Sequence, residues 1–308
     1  MKLASEIRKM SKPLFIFLGL LMATASARAE CVKVDHAPVD LASYYADAVG
    51  RSGEELKSAL NQIIRGHRAY SYTPCVWDIL QEADQDPADP GNVIAFYTGR
   101  PIPKTRRDTG GSDQDAWNRE HVWSKSKGFR QRSQDAHTDA HHIRAADKSV
   151  NTDRSNNDFA NGGTLDDECT ACREGEGTWE PPDRVKGDTA RMMFYMAVRY
   201  EGNDNSGTPD LELVDRLTHS GEPHFGMLCT LLAWHRADAV SPEERLRNNV
   251  IHSWQGNRNP FIDHPEFVQA IWAGSCGTNG SLRGDLLHRL ERVESEINKL
   301  RAIIEDRL

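Results

Sequence analysis

The sequence predicts a mostly helical α+β fold, because helical patterns dominate its second half and two short strands followed by a helix lie near its middle. "DRVKGDTARMMFYMAVRYEG" (183–202) is predicted to form one long helix that ends at its last glycine. "SPEERLRNNVIHSW" (241–254) is predicted to form another, since Ser241, Pro242 and Glu244 supply a cap, a first-turn proline and a capping-box partner.

Two helices and a strand are predicted before the central motif. Ser52 and Glu55 form a capping box ahead of apolar residues at helical spacing. "TPCVWDIL" is predicted to be a second helix, with Thr73 as its cap. "VIAFYTGR" (93–100) has the apolar and aromatic composition of a strand.

The central motif begins with "NREHVW" (118–123), which places Glu120 directly beside His121. A regular strand sends neighbouring side chains to opposite faces, and burying either of these groups is costly unless it is paired. We therefore expect an irregular strand end at Glu120. "HHIR" (141–144) is predicted to be a second strand, and "AADKSVNTDRSN" a short helix that carries Asn151.

Residues 1–29 are predicted to be a secretory signal peptide, and residues 30–276 to be the folded domain. A basic start precedes the apolar run "PLFIFLGLLMATA", and "ARA" (27–29) offers small residues for cleavage. The alternative is an uncleaved anchor, although the apolar run is short for a membrane span. Cleavage would give a secreted or periplasmic protein with no membrane association.

The chain is acidic, with a formal net charge of −8, and removal of the basic leader would make it more acidic. A protein that binds polyanions through its overall charge would be basic. Contacts with phosphate must therefore come from a local patch. "SKSKGFRQR" (124–132) supplies Lys125, Lys127, Arg130 and Arg132 near the Glu-His pair, which is enough for a local positive groove.

Six cysteines follow residue 30, and an even number in an exported chain indicates disulfide bonds. The alternative is that "CTAC" (169–172) forms half of a zinc site, but the chain has no second C-x-x-C to complete it. We expect disulfides, and the spacing leaves their pairing open.

Residues 277–308 are predicted to be a hinge followed by a coiled-coil tail. From Leu282 onward, apolar residues alternate spacings of four and three, as the a and d positions of heptads do. This pattern predicts a homo-oligomer formed through residues 282–308. The alternative is an amphipathic helix that packs on its own domain.

His121, Glu120 and Asn151 suit the hydrolysis of a phosphodiester bond. The reaction needs a base to take a proton from water, and histidine titrates near neutral pH. It also needs a hard cation to neutralise the charge that develops on the phosphate. Mg²⁺ prefers oxygen ligands and often takes only one or two from the protein, which Glu120 and Asn151 could supply.

Several ordered motifs resemble those of the bacterial endonuclease I family. They are "NREHVW", "TDAHHIRAADKSVNTDRSNNDF", "WEPPDRVKGDTARMMFYMAVRYEG" and "SPEERLRNNVIHSWQGNRNPFIDHPEFV", and the resemblance extends from about Tyr44 to Trp272. It implies a secreted or periplasmic, non-specific endonuclease with a ββα-metal (His-Me finger) core. It also implies cleavage of DNA, and often of RNA, to 5′-phosphate ends.

Residue by residue, the resemblance puts the general base on His121 and the metal ligands on Glu120 and Asn151. It implies one divalent cation, which we expect to be Mg²⁺, with Ca²⁺ or Mn²⁺ as alternatives. The family also uses an arginine to stabilise the phosphate, and Arg130 and Arg132 are candidates by position.

Other polar residues of these motifs allow more than one role. Arg119, Arg144 and Arg154 could contact phosphate or brace carboxylates. His141 and His142 match the family's "DxHH" stretch, and we expect them to be buried and hydrogen-bonded beside the site.

Two other classes of function stay open at this point. A zinc-dependent phosphoesterase would use His137, His141 and the cysteines as ligands. A non-catalytic DNA-binding or scaffold protein would depend mainly on the coiled coil.

Overall fold

A computed structural model describes residues 31–34 and 38–276 of the chain. The predicted signal peptide (1–29) and the predicted hinge and coiled coil (277–308) lie outside the described residues. Within the described ranges, no helix combines the length and apolar character that a membrane span requires.

Helices contain more of the described residues than strands do, as the sequence predicts. The α-helices are α1 Leu41–Tyr44, α2 Gly53–Ile64, α3 Cys75–Ala83, α4 Lys148–Arg154, α5 Lys186–Arg199, α6 Leu228–Ala237, α7 Pro242–Gln255, α8 Pro260–Asp263 and α9 Glu266–Trp272. Short 3₁₀ helices lie at Ala46–Ala48, Asp135–Thr138 and Asp183–Val185.

The strands are short and form small separate sheets. They are β1 Asn92–Ile94, β2 Pro101–Pro103, β3 Trp117–His121, β4 Ile143–Asp147, β5 Asp158–Phe159, β6 Thr164–Leu165, β7 Arg173–Gly175, β8 Thr178–Glu180, β9 Glu212–Val214 and β10 His224–Gly226. Among the described residues, β1 pairs with β2, β3 with β4 and β9 with β10, and the other four form one sheet in the order β5-β8-β7-β6.

Helix α5 is the centre of the helical part. All of its residues except Asp188 are buried, and it packs against α2, α6 and α8. Its methionines Met192, Met193 and Met196 belong to the main core. The helix is shorter than the sequence predicts, because residues 183–185 form a 3₁₀ turn and the backbone leaves the helical conformation at Tyr200.

Local signals predict some helix ends better than others. At α7, Ser241 and Glu244 form the predicted capping box, Pro242 is the first helical residue, and Gly256 ends the helix in the left-handed region. Ser52 lies at the start of α2, but its side chain makes no capping hydrogen bond. Pro74, rather than Thr73, takes the position before α3.

All six cysteines form disulfides, which confirms that prediction. The pairs are Cys31–Cys75, Cys169–Cys172 and Cys229–Cys276. Because no free cysteine is found among the described residues, "CTAC" is a disulfide loop and not half of a zinc site.

Strands β3 and β4 and helix α4 form the predicted central motif. β3 and β4 are antiparallel, with Glu120 opposite Arg144 and His121 opposite Ile143, and α4 follows β4 and packs on both strands. The predicted irregular strand end at Glu120 is wrong. The ladder continues through His121, and regular alternation alone sends Glu120 and His121 to opposite faces.

Candidate active site

His121 lies in a buried cluster of rings on one face of β3. Its ring stacks on Tyr72 with a centroid separation of 5.6 Å, and it lies 5.1 Å from His137 and 5.5 Å from His142. Burial, and then the neighbouring His142, lower the pKa of His121 well below its ordinary value. The imidazole is therefore unprotonated at neutral pH and keeps a lone pair that can accept a proton.

The contact at Nε2 of His121 fixes the tautomer of its ring. Nε2 lies 3.0 Å from the backbone carbonyl oxygen of His137. A carbonyl oxygen only accepts hydrogen bonds, so Nε2 carries the proton and Nδ1 keeps the lone pair. Nδ1 has no hydrogen-bond partner among the described residues, which leaves it available to accept a proton from water.

Glu120 is buried on the opposite face of β3, which faces α4. Its Oε1 accepts a hydrogen bond from the Tyr97 hydroxyl at 2.7 Å and lies 3.2 Å from Nη1 of Arg154. Burial raises the pKa of Glu120 above its ordinary value, while Arg154 and Tyr97 act in the opposite direction. An additional positive charge here would favour the ionised carboxylate.

Asn151 lies one helical turn before Arg154 on the same face of α4. Its Nδ2 donates to Oδ1 of Asn118 at 2.7 Å, while Arg154 contacts Glu120. Asn118 and Glu120 are two residues apart on β3 and so share a face. The contacts Asn151–Asn118 and Arg154–Glu120 therefore place the side chains of Glu120 and Asn151 on the same side of the motif.

The donor atoms on this side fit a hard divalent cation. Oε2 of Glu120 and Oδ1 of Asn151 accept no hydrogen bond from the described residues, because the contacts made by each side chain use its other polar atom. Carboxylate and amide oxygens are the ligand types that Mg²⁺, Mn²⁺ and Ca²⁺ prefer. This pair can therefore hold such an ion, with water completing its coordination.

Three of the basic residues predicted to contact nucleic acid are instead engaged inside the protein. Lys127 is buried, and its Nζ lies 2.6 Å from Asp158. Arg144 donates to Asp84 at 2.9 Å. The fully buried Arg154 donates to the backbone oxygen of Val122 at 2.6 Å and pairs with Glu120. Arg144 and Arg154 thus brace carboxylates, one of the two roles that the sequence left open. The charged ends of Lys127 and Arg154 are shielded from a ligand, which argues against the predicted contacts with phosphate.

The remaining predicted cations face solvent or lie beside the site. Lys125, Arg130 and Arg132 are exposed, and none pairs with a carboxylate in the part of the chain described. Arg132 lies 5.5 Å from the centre of the Tyr72 ring. Arg119 is half-buried between Tyr72 and Trp77, at 3.5 Å and 4.1 Å from their ring centres. Fewer of the predicted cations are therefore free to contact phosphate than the sequence predicts.

The other histidines of the motif are hydrogen-bonded to backbone carbonyls. Nε2 of His142 lies 2.8 Å from the oxygen of Ala136, and Nε2 of His141 lies 3.2 Å from the oxygen of Asn257. Nδ1 of His137 lies 3.2 Å from the oxygen of Phe129. Both members of the "DxHH" pair are buried. No group of three or more His, Cys, Asp or Glu residues in the described ranges is arranged to hold a metal ion.

Four residues of this site were not found by sequence reasoning. Tyr72 and Tyr97 contact His121 and Glu120 from segments far back in the chain, and no local signal marks them. Asn118 stands within the quoted "NREHVW" and could have been found from the alternation of β3. Asp139 stands in the "DxHH" stretch. It accepts hydrogen bonds from the buried hydroxyls of Tyr195 and Tyr200, and no local signal in the sequence predicts these contacts.

Comparisons with known proteins place the chain in a family. The family model for Endonuclease I matches residues 52–266. This chain belongs to the endonuclease I family. An extracellular ribonuclease of Bacillus amyloliquefaciens is 50% identical over 234 residues, which cover 76% of this chain and 79% of that protein. An extracellular ribonuclease of Bacillus subtilis (strain 168) is 48% identical over 234 residues, again 76% of this chain and 79% of that protein.

Membership of the endonuclease I family confirms the resemblance and makes the protein a nuclease, an enzyme that hydrolyses phosphodiester bonds. The alternative of a non-catalytic scaffold is therefore wrong. The alternative of a zinc phosphoesterase loses its cysteine ligands to the disulfides. Endonuclease I nucleases generally depend on a divalent metal.

Proposed function

We propose that the protein is an exported, non-specific endonuclease that cleaves DNA and RNA to 5′-phosphate ends with one divalent cation. The observation that carries the proposal is the pair of contacts made by adjacent residues of β3. His121 is held by the carbonyl of His137 with its Nδ1 free, and Glu120 lies with Asn151 on the other side of the strand.

His121 is assigned the role of general base. Its neutral imidazole takes a proton from a water molecule at Nδ1 while Nε2 stays bonded to the His137 carbonyl. The resulting hydroxide attacks phosphorus in line with the 3′ oxygen that leaves, so the phosphate remains on the 5′ end. The ring is kept in place by Tyr72, His137 and His142, which limits its rotation.

Glu120 and Asn151 are assigned to the divalent cation, in a ββα-metal arrangement. When bound, the ion neutralises charge on the phosphate and on the leaving oxygen. Tyr97 and Arg154 both contact Oε1 of Glu120, and neither contact uses its Oε2. We expect Mg²⁺ in this role, because only two protein oxygens are offered and Mg²⁺ commonly keeps several waters.

The proposed chemistry does not distinguish DNA from RNA. The nucleophile comes from water, so the reaction does not require the 2′-hydroxyl that RNA carries. The relatives are named ribonucleases, which supports RNA as one substrate. Their description as extracellular, together with the leader pattern of residues 1–29, supports export. Self-association through residues 282–308 also remains a proposal.

The function is tested by incubating the purified mature protein with circular plasmid DNA and, separately, with structured RNA. We expect both to be degraded in Mg²⁺, degradation to stop in EDTA, and the ends to be substrates for a ligase that needs a 5′-phosphate. Cleavage of RNA alone, with 3′-phosphate ends formed in EDTA, would overturn the proposal.

Replacing Glu120 by Gln tests the metal assignment separately. We expect kcat to fall about 100-fold or more and the Mg²⁺ concentration for half-maximal activity to rise, because a neutral amide binds a hard cation more weakly. Direct titration with Mn²⁺ should show the same loss of affinity. Glu174→Gln, on strand β7, is the matched control and should behave as wild type. Full activity of Glu120→Gln at low Mg²⁺ would contradict the assignment.

A further inference from the structure

Three guanidinium groups lie in a row beside the proposed base, each against an aromatic ring. Arg107 lies 5.8 Å from the centre of the Trp77 ring, and Arg119 lies between Trp77 and Tyr72. Arg132 lies 5.5 Å from the centre of the Tyr72 ring, which itself stacks on His121. We call Arg107, Arg119 and Arg132 the arginine row. It begins at His121 and extends toward the loop between β2 and β3.

The two aromatic rings that the arginines contact, Trp77 and Tyr72, are packed into the fold. Trp77 is buried in α3, and its ring meets the ring of Trp117 on β3 at 4.7 Å. The backbone of Arg107 forms a bridge with Trp117. Arg119 donates to the backbone oxygen of Tyr72 and, at 3.1 Å, to Oγ1 of Thr73. The side chain of Arg119, at the middle of the row, is therefore preorganised, and its binding to a ligand would cost little side-chain ordering.

The arginine row lacks the acidic partners that several other arginines of the described residues have. No member pairs with a carboxylate of the described residues, whereas the neighbouring Arg106 bonds to both Asp113 and Asp115. The neighbouring carboxylate of Asp108 is itself paired with Lys148. An anion would relieve the repulsion among these three like charges.

We propose that the arginine row binds backbone phosphates of the substrate strand that flank the scissile one. Planar guanidinium groups suit phosphate oxygens, and their position next to Tyr72 and His121 aligns the strand with the base. Contacts with phosphate carry no sequence information, which agrees with a non-specific enzyme. This inference rests on the proposed function. It adds that the nucleic-acid strand runs from His121 toward the loop between β2 and β3.

The test compares Arg107→Gln with wild type on a dodecanucleotide and on a dinucleotide that has no flanking phosphate. Arg107 is exposed and lies farthest along the row from His121, so the fold should tolerate the change. We expect KM for the dodecanucleotide to rise about tenfold, and the slope of log(kcat/KM) against log[salt] to decrease in magnitude by about 1. The preference for the dodecanucleotide over the dinucleotide should fall by the same factor.

Two controls make the result specific. Arg107→Lys keeps the charge and should retain most of the salt slope. Arg51→Gln removes an exposed arginine that bonds to the backbone of Asp47 before α2, and it should behave as wild type. An unchanged preference and salt slope in Arg107→Gln, with wild type active on both substrates, would overturn the arginine row alone. Inactivity of wild type on both substrates would overturn the proposed function.

Discussion

His121→Ala is expected to lower kcat by about 10²- to 10⁴-fold, the contribution typical of a positioned general base. The substitution removes the imidazole whose Nδ1 is assigned to take the proton from water. KM should change little, because the arginine row and the cation site are unaltered. Initial rates on plasmid DNA at saturating Mg²⁺ would measure the effect.

The matched control for this variant is His264→Ala. His264 follows helix α8 and bonds to Glu266 at 3.0 Å, outside the site, so the control should keep wild-type kcat. Thermal unfolding of both variants would show that the fold persists. Normal turnover by His121→Ala with an intact fold would remove His121 from the mechanism.

Asp139→Ala is expected to lower the free energy of unfolding by about 3–5 kcal/mol. Asp139 is fully buried and accepts hydrogen bonds from the hydroxyls of Tyr195 and Tyr200, at 2.7 Å and 2.8 Å, and from Nε2 of Gln255 at 2.9 Å. The substitution leaves the two buried tyrosine hydroxyls without an acceptor and removes one of two acceptors of Gln255, and each unsatisfied group costs about 1–3 kcal/mol. Urea unfolding would measure the loss.

The same variant should also lower kcat. Asp139 anchors the loop whose His137 carbonyl holds the ring of His121, and its Oδ1 accepts from the backbone N–H of His141 at 3.0 Å. Asp89→Ala is the control, because Asp89 is exposed and bonds only to Gly91 and Asn92 nearby. That change should cost less than about 1 kcal/mol. Equal losses of stability in the two variants would contradict a buried anchor at Asp139.

The sequence predicted those features whose causes are local. The cap at Ser241 and Glu244 needs only neighbours in the chain, and so does the order of strand, strand and helix around Glu120 and Asn151. The segment 93–100 shows where local reasoning fails. It has strand composition, but the strand ends at Ile94, and the chain turns at Gly99, whose φ is +73°. That turn buries Tyr97, which contacts Glu120.

The rest of the site depends on contacts between distant segments. Arg154 and Lys127 are residue types that commonly bind phosphate. In the folded chain both are buried, and they form ion pairs with Glu120 and Asp158 instead. Tyr72 reaches His121 because α3 packs against β4, and no residue near Tyr72 predicts this packing. Asp139 similarly gains its role from the helix α5 tyrosine Tyr195 and from distant partners.

The central claim is that Glu120 and Asn151 share one cation. Crystals of the protein soaked in Mn²⁺ and measured at the manganese absorption edge would test it directly. We predict one anomalous peak within roughly 2.0–2.6 Å of both Oε2 of Glu120 and Oδ1 of Asn151, the range for hard divalent ions bound to oxygen. A fully occupied ion that contacts neither side chain, in a form of the enzyme that cleaves DNA, would contradict the claim.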